Sequence, residues 1–294
     1  PVDETGMYSR AILVAAKENK IPTLGMQHGI ISKESFEYIH LPKEISKDSS
    51  HKSPFCPIPD KTFVYGDYTK KLLIKEGNYP QKTIEVTGQP RYDFISKVDN
   101  IFKKEEVYKK FNLDPQKKLV IFATEALEDE ESGDLPNAVI QGIKELDPVN
   151  FIIKLHPREY KEQYYKSLLK KHNVSAKVIR DYNTFKLLYA CDTVIIMHST
   201  IGLEAAMFNK PVVAVNVTGL QDVFPYIEKG IAIGAYKKSE VSKTIKKALY
   251  DKKTKKNLES NRQKFIEDNA YRLDGKSTER ITNNILKIIK YQNT

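Results

Sequence analysis

Three short motifs place imidazole, hydroxyl, guanidinium and glycine groups at the ends of apolar runs: Gln27-His28-Gly29, His156-Pro157-Arg158 and His198-Ser199-Thr200. The runs before them suit strands buried on both faces. Each motif then falls at the carboxyl edge of a parallel sheet, where ligands of open α/β folds lie. An imidazole with an ordinary pKa of about 6.5 serves there as a base or as a donor to phosphate. A hydrogen-bonded structural histidine is the competing reading for His28, His156 and His198. His40, His51 and His172 are assigned to solvent.

The densest constellation runs from Cys191 to Asn216. Thr193 to Met197 is an unbroken apolar strand, and Ser199 and Thr200 offer hydroxyls to cap the helix that follows, whose first N–H groups lack partners. Gly202, Ala205 and Ala206 are small enough for another backbone or a ligand to approach. Asn209 before Lys210-Pro211 stops the helix, and Val212 to Val215 returns as strand. A helix start at a strand's carboxyl end carries free N–H donors and a positive dipole end, which attract phosphate. Glu204, one turn after Thr200, stands where a carboxylate accepts hydrogen bonds from ribose hydroxyls. In the alternative, Ser199 and Thr200 only cap and Glu204 pairs with a lysine.

The elements that position these motifs alternate between strand and helix, which implies doubly wound parallel sheets. At 294 residues the chain accommodates two domains of ordinary size. Its first part reads as helix 8–17, strand 21–26, strand 61–65, helix 67–75 and strand 84–87, the remainder of a Rossmann-like domain whose opening units lie upstream. Ser32 to Pro59, long and polar, is a candidate lid or acceptor loop. Charged residues 99–110 with Asp114-Pro115 mark a domain boundary. Strands 119–124, 151–155, 176–179, 193–197, 212–215 and 231–233 follow, with helices 136–145, 159–171, 184–190, 255–268 and 277–290. The acidic stretch Glu125 to Asp134 matches no calcium loop and reads as solvated.

Net charge is +10, and only seven of the 48 basic residues are Arg. Hydrated point charges therefore dominate over phosphate-gripping forks. Nine lysines crowd residues 237–256, but Val241, Ile245, Ala248 and Leu249 form one helical stripe. That reads as a packed helix with a solvated lysine face, or as a weak attraction to an anionic membrane surface. Cys56 and Cys191 make neither a disulfide framework nor a zinc set, so a reducing compartment is expected. No apolar run nears the ~18 residues that span a bilayer, and no secretory leader is recognisable. G-x-G-x-x-G, Walker, G-x-S-x-G and Asp-x-Asp patterns are all absent. This argues against a dehydrogenase, a P-loop enzyme, an α/β-hydrolase and a metal-bridged nucleotide-sugar site.

Five segments in order carry a resemblance: Q-H-G at 27–29, T-G-Q-P-R-Y-D at 87–93, K-L-H-P-R-E at 154–159, H-S-T-x-G-L-E-A at 198–205 and D-G-K-S-T-E-R at 274–280. Together they resemble the two-Rossmann (GT-B) glycosyltransferases of surface and capsular polysaccharide assembly, related to CDP-glycerol glycerophosphotransferases and UDP-N-acetylglucosamine 2-epimerases. The resemblance implies an α/β fold of two Rossmann-like domains with parallel sheets facing a cleft, the first incomplete at its start. Domain limits are expected at 1–98 (acceptor domain), 99–272 (nucleotide domain) and 273–294 (a helix crossing back).

By the same resemblance His156 and Pro157 match an HP motif that contacts the donor's nucleotide or phosphate, with Arg158 beside them. His198, Ser199 and Thr200 match the phosphate turn, and Glu204 the ribose-reading acid. Thr124, Gly29, Gly88 and Arg91 complete the expected nucleotide or phosphate set, and His28 matches a base for the acceptor hydroxyl. The implied activity is metal-independent sugar transfer from a nucleotide-sugar donor to a glycan or lipid-linked acceptor. It needs no cofactor and no nucleic acid, and is expected in the cytoplasm, with peripheral contact at the inner face of the membrane. CDP-polyol phosphotransfer ranks next. Epimerisation ranks below it, because the Ser-Gly-Gly with paired acids usual there is here His-Ser-Thr with Glu204 alone. A non-enzymatic polyanion-binding module ranks last.

Overall fold

The computed structural model describes residues 6–45, 56–125, 134–219 and 221–292. The chain divides into two compact units, one formed by Pro1–Lys97 with Ile266–Thr294, the other by Val98–Phe265.

The first unit opens with α1 (Met7–Glu18), β1 (Leu24–Met26), α2 (Pro42–Ile45), β2 (Lys61–Val64), α3 (Asp67–Lys75) and β3 (Ile84–Val86). The strands pair in parallel in the order β1-β2-β3. Ile31, Tyr38, Ile58, Val64, Leu72, Leu73, Tyr79 and Ile84 form the core beneath them. β1 starts at Leu24 rather than Ile21, since Pro22 has no N–H to give a ladder and Thr23 turns to Asp60, donating from N (2.9 Å) and Oγ1 (2.7 Å). The flanks of the proposed lid are anchored, with Tyr38 buried and Glu44 accepting from the Leu41 amide at 2.7 Å; residues 46–55 and His51 lie outside the described residues. His40 is not solvated: it is buried, 5.7 Å from the Tyr79 ring, and burial, then the Arg10 charge, lower its pKa.

The second unit runs α4 (Val98–Ile101), α5 (Lys104–Phe111), β4 (Leu119–Ala123), α6 (Leu135–Lys144), β5 (Asn150–Lys154), α7 (Glu162–His172), β6 (Lys177–Ile179), α8 (Thr184–Ala190), β7 (Thr193–Ile196), α9 (Ile201–Met207), β8 (Val212–Val215), β9 (Ala232–Ala235), α10 (Lys238–Tyr250) and α11 (Lys252–Ala270), whose last residues, from Ile266, are counted with the first unit. Its six strands are parallel in the order β6-β5-β4-β7-β8-β9. Every residue of β4, β5, β7 and β8 is buried, as strands covered on both faces must be. Val241, Ile245, Ala248 and Leu249 of α10 join this core, at about 1.5–3 kcal/mol for each large apolar side chain buried. α7 begins three residues later than expected because Glu159 is buried and spends its carboxylate on the Lys161 amide, 2.8 Å away. His172 bonds Asn137 at 2.5 Å instead of facing solvent alone. Of the acidic stretch, residues 126–133 lie outside the described residues.

The final helix, α12 (Ser277–Gln292), belongs to the first unit and explains two of the five motifs. Asp93 accepts from the Ser277 amide (2.8 Å), the Thr278 amide (2.8 Å) and the Thr278 hydroxyl (2.7 Å), capping the helix from a distant segment. Arg280 donates to the Thr87 carbonyl at 2.8 Å and to Asp274 at 2.9 Å. Gly88 has φ +76°, and a Cβ there would stand 2.6 Å from Ser277 Oγ. The 87–93 and 274–280 motifs are thus each other's partners.

Candidate functional site

In the six-stranded sheet the chain passes outward from β4 to β6 and then returns to β7, so strand order reverses between β4 and β7. Such a switch point leaves a crevice at the strands' carboxyl ends. The register pairs Ala123 with Lys154 and Phe122 with Ile195. Continued past the paired ends, it brings Glu125 level with His156 on one side and His198 on the other. Hydrogen bonds hold that row together: Thr124 Oγ1 accepts from the His156 amide (3.0 Å), the Thr124 amide donates to the Lys154 carbonyl (3.0 Å), and Glu125 Oε1 accepts from the His198 amide (2.5 Å).

His156 has a defined tautomer. Its Nδ1 accepts from the Arg158 amide at 3.1 Å, so in the neutral ring the proton sits on Nε2. Burial, then the charges of Arg158 and Lys154, lower its pKa. At neutral pH the ring is a neutral donor through Nε2. The turn beneath it closes when the Glu159 amide donates to the His156 carbonyl (2.9 Å), which leaves Pro157 and Arg158 exposed. Lys154 is buried, with Nζ on the Leu155 carbonyl at 2.8 Å.

The turn after β7 differs from the sequence expectation in its capping. Thr200 has helical backbone angles and makes no side-chain cap bond; Ser199 Oγ accepts from the Ile201 amide instead, at 3.2 Å. The carboxylate of Glu125 occupies the outer amides, those of His198 and Ser199, and burial outweighs these bonds and raises its pKa. Tyr226 fills the space that the small residues leave: a Cβ on Gly202 would stand 2.7 Å from its ring, and its hydroxyl donates to the Ser199 carbonyl at 2.9 Å. Glu204 is only 2 % exposed on the inner side of α9. Tyr226 was not singled out from sequence, and Glu125 was read as the start of a solvated acidic loop, whereas its carboxylate is tied to the His198 amide. Glu125 had a usable signal, since Thr124-Glu125 ends a strand as the three chosen motifs do.

Thr124, His156, Pro157, Arg158, His198, Ser199, Thr200 and Glu204 therefore gather around one edge of the larger sheet. His28, Gly29, Gly88 and Arg91 lie in the first unit, after β1 and β3. His28 is exposed, with the Tyr38 hydroxyl 3.4 Å from Nδ1. Its neighbour Gln27 is the buried organiser of that end, accepting from the Tyr65 amide (2.8 Å) and donating to the Gly29 carbonyl (2.7 Å). Arg91 is exposed, its guanidinium 5.7 Å from the Tyr92 ring. Among the described residues no group of three or more His, Cys, Asp or Glu is placed to hold a metal ion, and no helix is long and apolar enough to cross a membrane.

Two α/β units built on parallel sheets, the larger with polar groups converging at its switch point, define a GT-B-like fold. Solved structures agree. UDP-N-acetylglucosamine 2-epimerase from Neisseria meningitidis, bound to UDP-N-acetylglucosamine, superposes with a TM-score of 0.67 at 16% identity, covering 96% of this chain and 74% of that one. The UDP complex of MnaA from S. aureus gives 0.66 at 18% identity, over 97% and 74%. The wall teichoic acid polymerase TagF gives 0.64 at 18% identity, over 92% and 69%. No curated protein matches in sequence. The chain belongs to the UDP-N-acetylglucosamine 2-epimerase family, whose model matches residues 55–286, the family that the His-Ser-Thr turn had ranked below the transferases.

Proposed function

We propose that this protein transfers a sugar from a nucleotide-activated donor to a glycan or lipid-linked acceptor, with no metal or other cofactor. The reading is carried by the level row of Thr124-Glu125, His156 and His198-Ser199 at the switch point of the larger sheet. Charge builds on the leaving phosphate during displacement. Donors aimed there, the His156 Nε2–H, Arg158 and the turn amides, stabilise the transition state more than the ground state. Ser199 and Thr200 flank that phosphate and Glu204 reads the ribose. Glu125 keeps the turn formed while the donor is absent and yields its amides to the arriving phosphate. His28 takes the acceptor's proton, a step worth about 10²- to 10⁴-fold. Gly29, Gly88 and Arg91 are further candidates for phosphate binding, in the first unit. A lipid-linked acceptor would be met peripherally, at the cytoplasmic face of the membrane, by the lysine face of α10.

Family membership favours a second reading, in which the same site epimerises the donor's sugar with no acceptor. Thermal shift with UDP-, GDP-, CDP- and CMP-linked compounds tests the common core, since a ligand that binds only the folded state raises the melting temperature. No shift with any of them refutes both readings. Phosphorus NMR then separates them: nucleotide release that requires an acceptor marks transfer, and a changed sugar without one marks epimerisation. A response confined to CDP-polyols marks polyol-phosphate transfer.

A further inference from the structure

The amino-terminal edge of the larger sheet, opposite the candidate nucleotide site, carries a second constellation. The turns leading into β7 and β8, Cys191-Asp192 and Asn209-Lys210-Pro211, meet Lys255, Glu259 and Arg262 of α11 around a cavity of about 330 Å³. About 13 Å of strand, four residues at ~3.3 Å each, separates it from the His198 turn.

Arg262 is the observation that demands an occupant. It is 8 % exposed, and among the described residues its guanidinium has one hydrogen bond, from Nη1 to Asn209 Oδ1 at 3.2 Å. Asn209 presents that oxygen from a left-handed turn, φ +57°. Burial, more than the pull of Glu259 offsets, lowers the Arg262 pKa. A buried guanidinium without a carboxylate partner is costly. Asp192 does not relieve it, because its carboxylate is engaged by Lys118 (2.9 Å), the Leu119 amide (2.8 Å) and Lys104 (3.9 Å). Lys210 and Lys255 are half-buried at the same cavity, and Glu259 is exposed at its rim. Three cations thus face one uncommitted carboxylate.

We propose that this cavity is a binding site for a small phosphate-class anion, either free phosphate or a terminal phosphomonoester. The guanidinium fork and two flanking ammonium groups match tetrahedral oxygens. The site is independent of the proposed transferase reaction.

Titrating the full chain with inorganic phosphate and with methyl phosphate at constant ionic strength, followed by phosphorus NMR and thermal shift, tests it. Saturable binding is expected. Lys255→Ala and Lys210→Ala should each raise the dissociation constant about tenfold, the effect of one lost charge-assisted bond, and Glu259→Gln should lower it. Arg262→Lys should abolish saturation. If that variant unfolds, the two exposed-side lysine variants still decide the matter. Lys170→Ala, which removes an exposed charge on α7, should bind phosphate as the unaltered chain does. Methyl phosphate binding as well as phosphate identifies a phosphomonoester as the natural form, and binding of phosphate alone identifies the free ion. No saturation beyond that seen with chloride, unchanged binding by both cavity lysine variants, or loss confined to Lys170→Ala overturns the proposal.

Discussion

In the proposed reaction Glu125 and a donor phosphate compete for the same amides, which makes Glu125→Gln the sharpest probe of the site. The amide side chain retains an oxygen to accept from His198 at the present 2.5 Å and removes the charge. Two unit charges ~5 Å apart at an effective dielectric near 20 repel by roughly 3 kcal/mol. The half-exposed setting screens this to about 1–2 kcal/mol. A nucleoside diphosphate should therefore bind the variant roughly 5- to 30-fold more tightly. Calorimetric titration at neutral pH measures it directly. The linkage has a fixed sign: burial raises the folded-state pKa above 4.5, so this group's contribution to stability is complete below the unfolded value. It is lost as pH rises through the folded value. Unaltered protein should accordingly gain nucleotide affinity on acidification towards that value, and the Gln variant should not. The variant should also melt no lower at neutral pH. Equal or weaker nucleotide binding by Glu125→Gln would refute the placement of the phosphate on these amides.

Other expectations follow from single distances. Gly202→Ala drives a methyl group into the Tyr226 ring, 2.7 Å from the ideal Cβ, and should cost about 1–3 kcal/mol; an unshifted denaturation midpoint would contradict this packing. Asp93→Ala removes the cap of α12 and should cost about 1–2 kcal/mol, read as faster amide exchange at Ser277 and Thr278. Burial alone would raise the Asp93 pKa, but the bonds from Thr278 and Ser277 more than reverse it and hold it below 3.8. Its stabilisation is therefore present above that value and lost as pH falls through the lower folded one. His156 should titrate below 6.5 by NMR, because burial and then the Arg158 and Lys154 charges disfavour the imidazolium. Its contribution to stability is present above 6.5 and declines on acidification through the folded value; a midpoint above 6.5 would contradict the neutral ring whose Nδ1 accepts from the Arg158 amide.

Where the chemistry is local, the amino-acid order was sufficient. α3, α8 and β8 occupy the residues their hydrophobic periods indicate, since apolar spacing of 3.6 or an unbroken apolar run already states which face is buried. Asn209 takes the left-handed conformation its helix-stopping role requires. The placement of His156 and His198 at strand ends was legible for the same reason: a parallel strand between helices is apolar throughout, so polarity returns where it ends. Partnerships between distant segments were not legible. Glu125 reaches the His198 amide across 73 positions and Asp93 reaches Ser277 across 184. His40 looked solvated until Tyr79 covered it. The strand order β6-β5-β4-β7-β8-β9, which makes the space between β4 and β7 a switch point, is likewise invisible to any window of residues. Periodicity reports how much of a segment is buried, but only closure of the chain decides what it is buried against, and so which carboxylate meets which amide.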